Sequence, residues 1–450
     1  MIPKLTAITL IVSTLLFGGD FLNYKNKNES EIQIMPSPLP KYETKTLKNG
    51  LEIVVIPLHN KTGVISTDIF YKVGSRNEIM GKSGIAHMLE HMNFKSSKHL
   101  KAGEFDAEVK SIGGVNNAST SFDYTHYFIK SSTQNLEKSL SLYAELMQNL
   151  SLKNKEFQPE RDVVAEERRW RTDNNPMGYL YFKMFNNAYV YHPYHWTPIG
   201  FMNDIQNWSI DDIRKFHKTY YQPNNAILIV TGDVDPKEVF EKAKKEFGDI
   251  KNHGKIPEVK FKEPLQDGAK RVILHKESEV EMIAIAFHIP NFKHKDQPVL
   301  SMISEILYSG KSSRLYKELV DKKRLVNTVY AYNMENTDPG LFIFLAVCNP
   351  NVKATTVEKE LIKQIDILKN TKVTQGELDK IKINTKSDFI HSLESSTSVA
   401  NLYGSYLVRG DIKPLLNYEK NIKNITPKQV QKVANKYFDF DKSTTIILKK

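Results

Sequence analysis

Two distant segments of the sequence share one pattern, in which an amphipathic helix precedes an aromatic pair, a polar turn and a β-branched strand. The segment "SIDDIRKFHKTYYQPNNAILIV" occupies residues 209–230, and "NITPKQVQKVANKYFDFDKSTTIIL" occupies residues 424–448. Tyr220 and Tyr437 lie 217 residues apart, about the length of one domain. We therefore predict two homologous α+β halves, with chance recurrence of a common helix–strand unit as the alternative.

The boundaries of these halves follow from local changes in composition. Asn49-Gly50 separates two strand-like runs near the start of the first half, a pattern typical of a β-hairpin. Between residues 251 and 270 the hydrophobic periodicity is lost, while Pro, Gly and charged residues become frequent. We predict a first domain at 42–250, an interdomain linker at 251–270 and a second domain at 271–450.

The N-terminal segment differs from the rest of the chain. It has one early lysine and then an apolar run from Leu5 to Phe17, a length typical of the hydrophobic region of a signal peptide. We predict that residues 1–19 form a signal peptide or an uncleaved membrane anchor, followed by a linker at 20–41. The protein is then expected to be exported, and to be either free in a bacterial periplasm or anchored in the membrane facing the periplasm.

Charge and cysteine content exclude some classes of function. The formal net charge is +11, but the lysines are spread along the chain without a long basic run. We interpret this as a solvated surface and expect no nucleic-acid partner, although an acidic partner stays open. Cys348, the only cysteine, lies in an apolar run and is expected to be a buried core thiol. A zinc site would therefore use histidines and carboxylates.

The segment "GIAHMLEHMNF" contains the candidate metal-binding and catalytic residues. On a helix, His87 and His91 lie four residues apart on one face, a spacing at which two imidazoles can bind one zinc ion. Glu90 lies beside the same face, where a carboxylate can act as a general base towards water. This is the HxxEH motif of the inverzincins. The alternative is an ordinary polar turn of a solvated helix.

A catalytic zinc ion needs a third protein ligand. The best candidates for this ligand lie in the segment "FQPERDVVAEERRW". Glu160 and Glu167 are seven residues apart and share a helix face. One can bind the metal while the other holds a ligand histidine through its second ring nitrogen. The alternative is a surface acidic patch that includes Glu166 and pairs with neighbouring arginines. Spacing alone leaves this choice open.

Several segments together resemble the M16 metallopeptidases, in the branch that contains mitochondrial processing peptidase and bacterial M16B-type zinc proteases. The similarity is close over residues 45–245 and looser in the second half. The matching segments are "LKNGLEIVVIP", "VGSRNE", "GIAHMLEHMNFK", "GGVNNASTSFDYTHYF", "ERDVVAEE", "HPYHWTPIG" and "YYQPNNAILIVTGDVDP". The resemblance implies two homologous domains, each with a mostly antiparallel β-sheet packed with helices.

The resemblance also implies roles for individual residues. His87 and His91 match the zinc-binding histidines of the family, and Glu90 matches its general base. The third zinc ligand of the family corresponds to Glu167, which leaves Glu160 as the residue that holds a ligand histidine. One zinc ion per chain is expected.

The segment "GGVNNAST" resembles the substrate-binding edge strand of the family. Asn117 and Ala118 would hold an extended peptide there by main-chain pairing. Such pairing suits peptides and unfolded segments rather than folded proteins.

The second half departs from the pattern of active family members, which carry an Arg and a Tyr seven residues apart. Val320 and Asn327 occupy the corresponding positions, and Arg324 and Tyr330 are six residues apart and out of register. Some relatives divide the two motifs between two polypeptides. The chain is therefore expected to be the zinc-carrying subunit paired with a second M16-like subunit, or a homodimer.

These observations predict a zinc-dependent endopeptidase that hydrolyses peptides or unfolded segments. A catalytically silent M16-like scaffold is the main alternative, because the Arg/Tyr pair is missing. A basic membrane- or nucleic-acid-associated protein with an incidental HxxEH motif is the second alternative.

Overall fold

The structure, a computed structural model, describes residues 38–450 of the chain. The signal peptide or anchor predicted at 1–19, and most of the linker predicted at 20–41, lie outside the described residues. Within the described part, every helix is too short or too polar to cross a lipid bilayer.

The first sheet contains six strands, of which only one pair is parallel. Their bounds are β1 (Glu43–Thr46), β2 (Glu52–Pro57), β3 (Val64–Tyr71), β4 (Val115–Thr120), β5 (Thr125–Ser132) and β6 (Ala226–Gly232). They lie in the order β1-β2-β6-β3-β5-β4, with β2 and β6 parallel. The predicted hairpin is confirmed, because β1 and β2 pair in antiparallel around Asn49-Gly50, where Gly50 has a left-handed φ of 88°.

The second sheet repeats this arrangement without the outermost strand. Its strands are β7 (Lys270–His275), β8 (Met282–His288), β9 (Val326–Asn333), β10 (Leu341–Cys348) and β11 (Ser443–Lys449). They lie in the order β7-β11-β8-β10-β9, with only β7 and β11 parallel. The prediction of two homologous α+β domains with mostly antiparallel sheets is therefore confirmed. Cys348 is fully buried at the end of β10, as expected.

Helices surround both sheets. Those of the first half are α1 (Ile85–Asn93), α2 (Glu104–Ser111), α3 (Leu136–Asn149), α4 (Asn154–Arg168), α5 (Pro176–Ala188), α6 (Met202–Asn207), α7 (Ile210–Tyr220) and α8 (Pro236–Phe247). Those of the second half are α9 (Gln297–Tyr308), α10 (Ala354–Asn370), α11 (Gln375–His391), α12 (Ser396–Val408), α13 (Lys413–Leu416), α14 (Tyr418–Lys423) and α15 (Pro427–Tyr437).

Each half covers one face of its sheet with its own helices and the other face with a helix from the other half. Helix α5 of the first half packs on β8 and β11, and Leu180 and Phe185 are fully buried there. Helix α12 of the second half packs on β3 and β6, where Gly404 lies against the ring of Phe70. The sequence did not predict this exchange of helices.

The predicted linker has no helix or strand between residue 251 and the start of β7 at Lys270. By contacts, residues 39–450 form one compact unit. The domain boundaries at 42–250 and 271–450 therefore stay a prediction.

Candidate metal centre

Helix α1, which carries the HxxEH motif, is almost entirely buried. Its apolar residues, among them Met88, Leu89 and Met92, pack in the core of the first half. The helix begins after Gly84, whose φ of 84° lies in the left-handed region. The buried carboxylate of Glu78 accepts hydrogen bonds from the backbone N–H groups of Gly84 and Ala86, both at 2.8 Å. These bonds satisfy donors that a helix start leaves unpaired, and they fix the position of α1.

The side chains of His87, His91 and Glu167 converge where α1 packs against α4. Glu167 Oε2 lies 3.3 Å from His91 Nε2 and 3.8 Å from His87 Nε2. One potential ligand atom from each of the three residues lies within 4.8 Å of the others. The structure thus brings together the three residues predicted as zinc ligands, which are 76 to 80 positions apart between the two helices.

The two glutamates of α4 have matching environments. Glu160 Oε1 accepts a hydrogen bond from His91 Nδ1 at 2.8 Å, and its Oε2 lies 2.5 Å from Lys95 Nζ. Glu167 Oε2 faces the imidazoles, while its Oε1 lies 3.0 Å from Arg171 Nε. Each carboxylate therefore turns one oxygen to a histidine and the other to a cation. Lys95 and Arg171 were not predicted, although each follows a site residue by four positions, a spacing at which helical side chains meet.

The charges in this cluster are strongly coupled. Burial, and then the neighbouring His91, lower the pKa of His87 to about 3. Burial opposes the charged form of His91 as well, but hydrogen bonds to Glu160 and Glu167 outweigh it and raise the pKa of His91 to about 9. Burial likewise opposes ionisation of Glu167, but His91 and Arg171 lower its pKa to about 2. The carboxylates thus favour a positive charge at His91, which a bound divalent ion would supply in place of the proton.

This donor set fits zinc. Two imidazole nitrogens and one carboxylate oxygen are the protein ligands of many catalytic zinc sites, with a fourth position left for water. The contact from Glu160 fixes the ring of His91, as carboxylates commonly do for metal-binding histidines. The Nε2 atom of His87 lies 3.8 Å from Glu167 Oε2 and is the one placed to bind an ion, whereas its buried Nδ1 has no hydrogen-bond partner among residues 38–450. The assignment of ligands stays a prediction.

Glu90 lies beside the cluster and is also buried, with 6% of its surface exposed. Its Oε2 accepts a hydrogen bond of 2.5 Å from Thr120 Oγ1 at the end of β4. Burial raises the pKa of Glu90, although this hydrogen bond favours its charged form. A raised pKa suits a group that takes up and returns a proton near neutral pH. Thr120 was missed by the sequence reasoning, although it stands in the quoted "GGVNNAST" segment.

Strand β4 forms one end of the first sheet and pairs only with β5 among the described strands. Ser121 N donates to Tyr124 O at 2.9 Å, and the pairing continues from there without a shift of register. Because antiparallel pairs alternate, the N–H and C=O groups of Asn117 face β5, whereas those of Ala118 face the open edge. The side chain of Asn117 is exposed and that of Ala118 is buried.

The residues near the missing Arg/Tyr pair have other contacts. Tyr330 lies in β9 and packs against Tyr308, with ring centroids 5.3 Å apart. The backbone oxygen of Arg324 accepts a hydrogen bond from Asn349 Nδ2 at 2.8 Å. Asn327 is exposed on β9, the edge strand of the second sheet that corresponds to β4.

Comparison with known proteins agrees with this geometry. The family model described as Insulinase (Peptidase family M16) matches residues 54–193, and the one described as Peptidase M16 inactive domain matches residues 207–385. The chain is 58% identical to the zinc protease PqqE of Helicobacter pylori, over 92% of this chain and 94% of that protein. It is 25% identical to the beta subunit of the mitochondrial-processing peptidase of Bos taurus, over 96% of this chain and 88% of that protein. The crystal structure of a protease from Helicobacter pylori superimposes with a TM-score of 0.90 at 57% identity, covering 92% of this chain and 100% of that one. The chain therefore belongs to peptidase family M16.

Proposed function

We propose that the protein is a zinc-dependent endopeptidase that hydrolyses peptide bonds in peptides or unfolded segments. The convergence of His87, His91 and Glu167 within 4.8 Å, with Glu90 buried beside them, carries this proposal. The name of the Helicobacter pylori relative, a zinc protease, supports it. His87, His91 and Glu167 would hold one zinc ion per chain.

The residues around the ion divide the chemistry between them. Bound zinc would polarise the scissile carbonyl and lower the pKa of water. Glu90 takes the proton from the attacking water and returns it to the leaving amine. Thr120 holds Oε2 of Glu90 by a hydrogen bond, so Oε1 is the oxygen that moves the proton. Glu160 keeps the ring of His91 in the orientation that directs Nε2 to the ion.

The edge strand supports the proposal that substrates bind in an extended conformation. An extended peptide can continue the sheet beyond β4 by bonding to the outward N–H and C=O groups of Ala118. A folded protein has few segments free to do so. The main-chain groups of Asn117 face β5, so the pairing expected of them with a peptide falls to Ala118.

The activity is tested with the purified chain, a quenched peptide and metal analysis. We expect one zinc per chain in the wild type and loss of zinc in His87→Ala. Glu90→Gln should keep the zinc and lose activity by about 10²–10⁴-fold, because only proton transfer is removed. Glu166→Gln, at the exposed neighbour of Glu167, is the matched control and should change neither. A zinc-loaded wild type that cleaves nothing, alone or with a partner, would refute the proposal.

We further propose that the active form contains a second M16-like unit that carries the Arg/Tyr pair, or a second copy of this chain. Val320 and Asn327 stand where the pair is expected, and one similar protein is named as a beta subunit. Mixing the chain with an M16-like chain that has Arg/Tyr but no HxxEH should raise the rate and double the native mass. Full activity of a monomer would exclude this arrangement. Activity that survives His87→Ala in the mixture would instead support the alternative of a silent scaffold.

The apolar run from Leu5 to Phe17 supports export, with residues 1–19 either cleaved or kept as a periplasm-facing anchor. Cell fractionation, together with the mass of the mature chain, tests this proposal. Full-length chain in the cytosolic fraction would contradict it.

A further inference from the structure

The turn that follows Glu167 is an unusual piece of backbone. Residues Arg169–Asp173 continue α4 as a π-helical turn before α5 begins. Such turns are rare and occur often at functional sites. The turn carries Trp170, which lies three positions after Glu167.

Ion pairs hold the turn on several sides. Arg168 Nη2 lies 3.0 Å from Asp173 Oδ1, so the two ends of the turn are tied together. Arg169 pairs with Glu166, and Arg171 Nε lies 3.0 Å from Glu167 Oε1. The pairs of Arg168 with Asp173 and of Arg171 with Glu167 involve buried or half-buried side chains, so they restrain the backbone that carries the indole.

The indole itself is left in solvent. Trp170 is 65% exposed, whereas Trp196 and Trp208 are 3% and 2% exposed. Val163 is seven positions earlier, on the same side of α4, and is 51% exposed. An exposed tryptophan on a rigid support is typical of a residue that anchors a ligand, because its large surface is presented at little cost in conformational entropy.

The position of Trp170 indicates what it binds. Arg171 links the indole to the metal centre. Its Cζ atom lies 6.0 Å from the centre of the Trp170 ring, and its Nε lies 3.0 Å from Glu167 Oε1, so the indole is near the carboxylate of Glu167. An extended peptide advances about 3.3 Å per residue, so a substrate cleaved at the metal centre passes the indole within about three residues of the scissile bond.

We propose that Trp170 is a specificity-determining residue that binds an apolar or aromatic side chain of the peptide substrate within three residues of the scissile bond. This inference rests on the proposed endopeptidase function. The indole covers that side chain and removes it from water, so the enzyme should prefer phenylalanine over alanine at one position of the substrate.

Cleavage of a peptide series gives the first test. One phenylalanine is moved stepwise along an otherwise alanine- and serine-containing peptide, and kcat/KM is measured at each position. The wild type should favour phenylalanine at one position by roughly 10–100-fold. Trp170→Ala should reduce this preference to within about threefold, and Trp170→Phe should keep most of it. The control Ile383→Ala removes an exposed apolar side chain from α11 in the second half and should keep it all. All four proteins should contain one zinc.

Fluorescence gives a test that needs no cleavage. In zinc-loaded Glu90→Gln protein, the phenylalanine peptide should shield tryptophan emission from acrylamide, and the alanine peptide should not. The shielding should vanish when Trp170→Ala is added. If the wild type cleaves no peptide, the endopeptidase proposal fails, but this titration still decides the role of Trp170.

Two results would overturn the inference. One is an unchanged preference for phenylalanine in Trp170→Ala, together with binding of the phenylalanine peptide to Glu90→Gln protein that leaves acrylamide quenching of tryptophan unaltered. The other is a fall in native mass in Trp170→Ala with peptide preference intact, which would make the indole part of a subunit interface.

Discussion

Glu160 and Glu167 carry the same functional group, but they approach opposite nitrogens of His91. Glu160 contacts Nδ1 at 2.8 Å, whereas Glu167 lies 3.3 Å from Nε2 and is within reach of His87. Their seven-residue spacing predicted a shared helix face but left the two roles open. The roles are separated by the orientation of one imidazole ring, which depends on how α1 packs against α4 and cannot be read from either segment alone.

The role of Glu160 gives a prediction about zinc affinity. Glu160→Gln removes the negative charge that orients His91 and raises its basicity, so zinc should bind about 10–100-fold more weakly. The fold should persist, because Glu160 lies at the edge of the core. Competition with a chromophoric chelator measures the affinity, with Glu166→Gln as the matched control. Equal affinities in the two variants would show that the contact with His91 is incidental.

At the scale of elements, the parts predicted most fully are those with a strong local pattern. The hairpin at Asn49-Gly50 and the helix around His87 follow from turn chemistry and from hydrophobic spacing. The bond from Thr120 to Glu90 was not predictable, because it joins a strand end to a helix 30 residues away. Contacts of that kind depend on tertiary packing, for which one sequence gives no periodic signal.

Strand β4 allows a sharp test of main-chain binding. Ala118→Pro removes one N–H from the open edge, where proline is tolerated, and should raise KM for an unfolded peptide about tenfold. Ala118→Val keeps the N–H and should leave KM near the wild-type value. Asn117→Pro removes an N–H that faces β5 and should lower Tm instead. Peptide kinetics and thermal unfolding distinguish the three, and an unchanged KM in Ala118→Pro would argue against pairing at this edge.

The start of α1 should make stability depend on pH. Burial raises the pKa of Glu78 from 4.5 to about 8, although the N–H groups of Gly84 and Ala86 favour its charged form. Between these values the folded protein holds a proton that the unfolded chain has released. The free energy of unfolding should therefore fall as pH rises through this window.

Glu78→Gln is the variant that isolates this effect, because glutamine does not titrate. Denaturant unfolding at several pH values between about 5 and 8 gives the difference in unfolding free energy between variant and wild type. We expect this difference to shrink as pH rises. A difference that stays constant would mean that Glu78 is ionised throughout.

At the scale of the whole molecule, the exchange of α5 and α12 joins the two halves. An amphipathic pattern shows that a helix has an apolar face, but it does not show which of two sheets that face will cover. The sequence therefore predicted two similar α+β domains correctly, but it did not predict that each domain covers one face of the other domain's sheet with a helix.

Gly404 lies where α12 packs against Phe70 of the first sheet. A Cβ atom there would clash with the ring of Phe70, which is itself stacked on His126 with centroids 3.9 Å apart. Gly404→Ala should therefore destabilise the protein by about 1–3 kcal/mol, despite the better helix propensity of alanine. Adding Phe70→Leu should return part of this loss, and Ser405→Ala should cost little. Denaturant unfolding of the wild type and the three variants measures these changes, and a stabilising Gly404→Ala would contradict the packing.

The exchange of α5 and α12 also determines the effect of a single proteolytic cut in the segment between the two halves. A protease that cuts the chain once between residues 251 and 269 leaves two fragments, and the sheet of each fragment is still packed against a helix of the other. Neither fragment can dissociate without exposing an apolar face of its sheet to water. The nicked protein would run as two bands on a denaturing gel and elute as one intact particle.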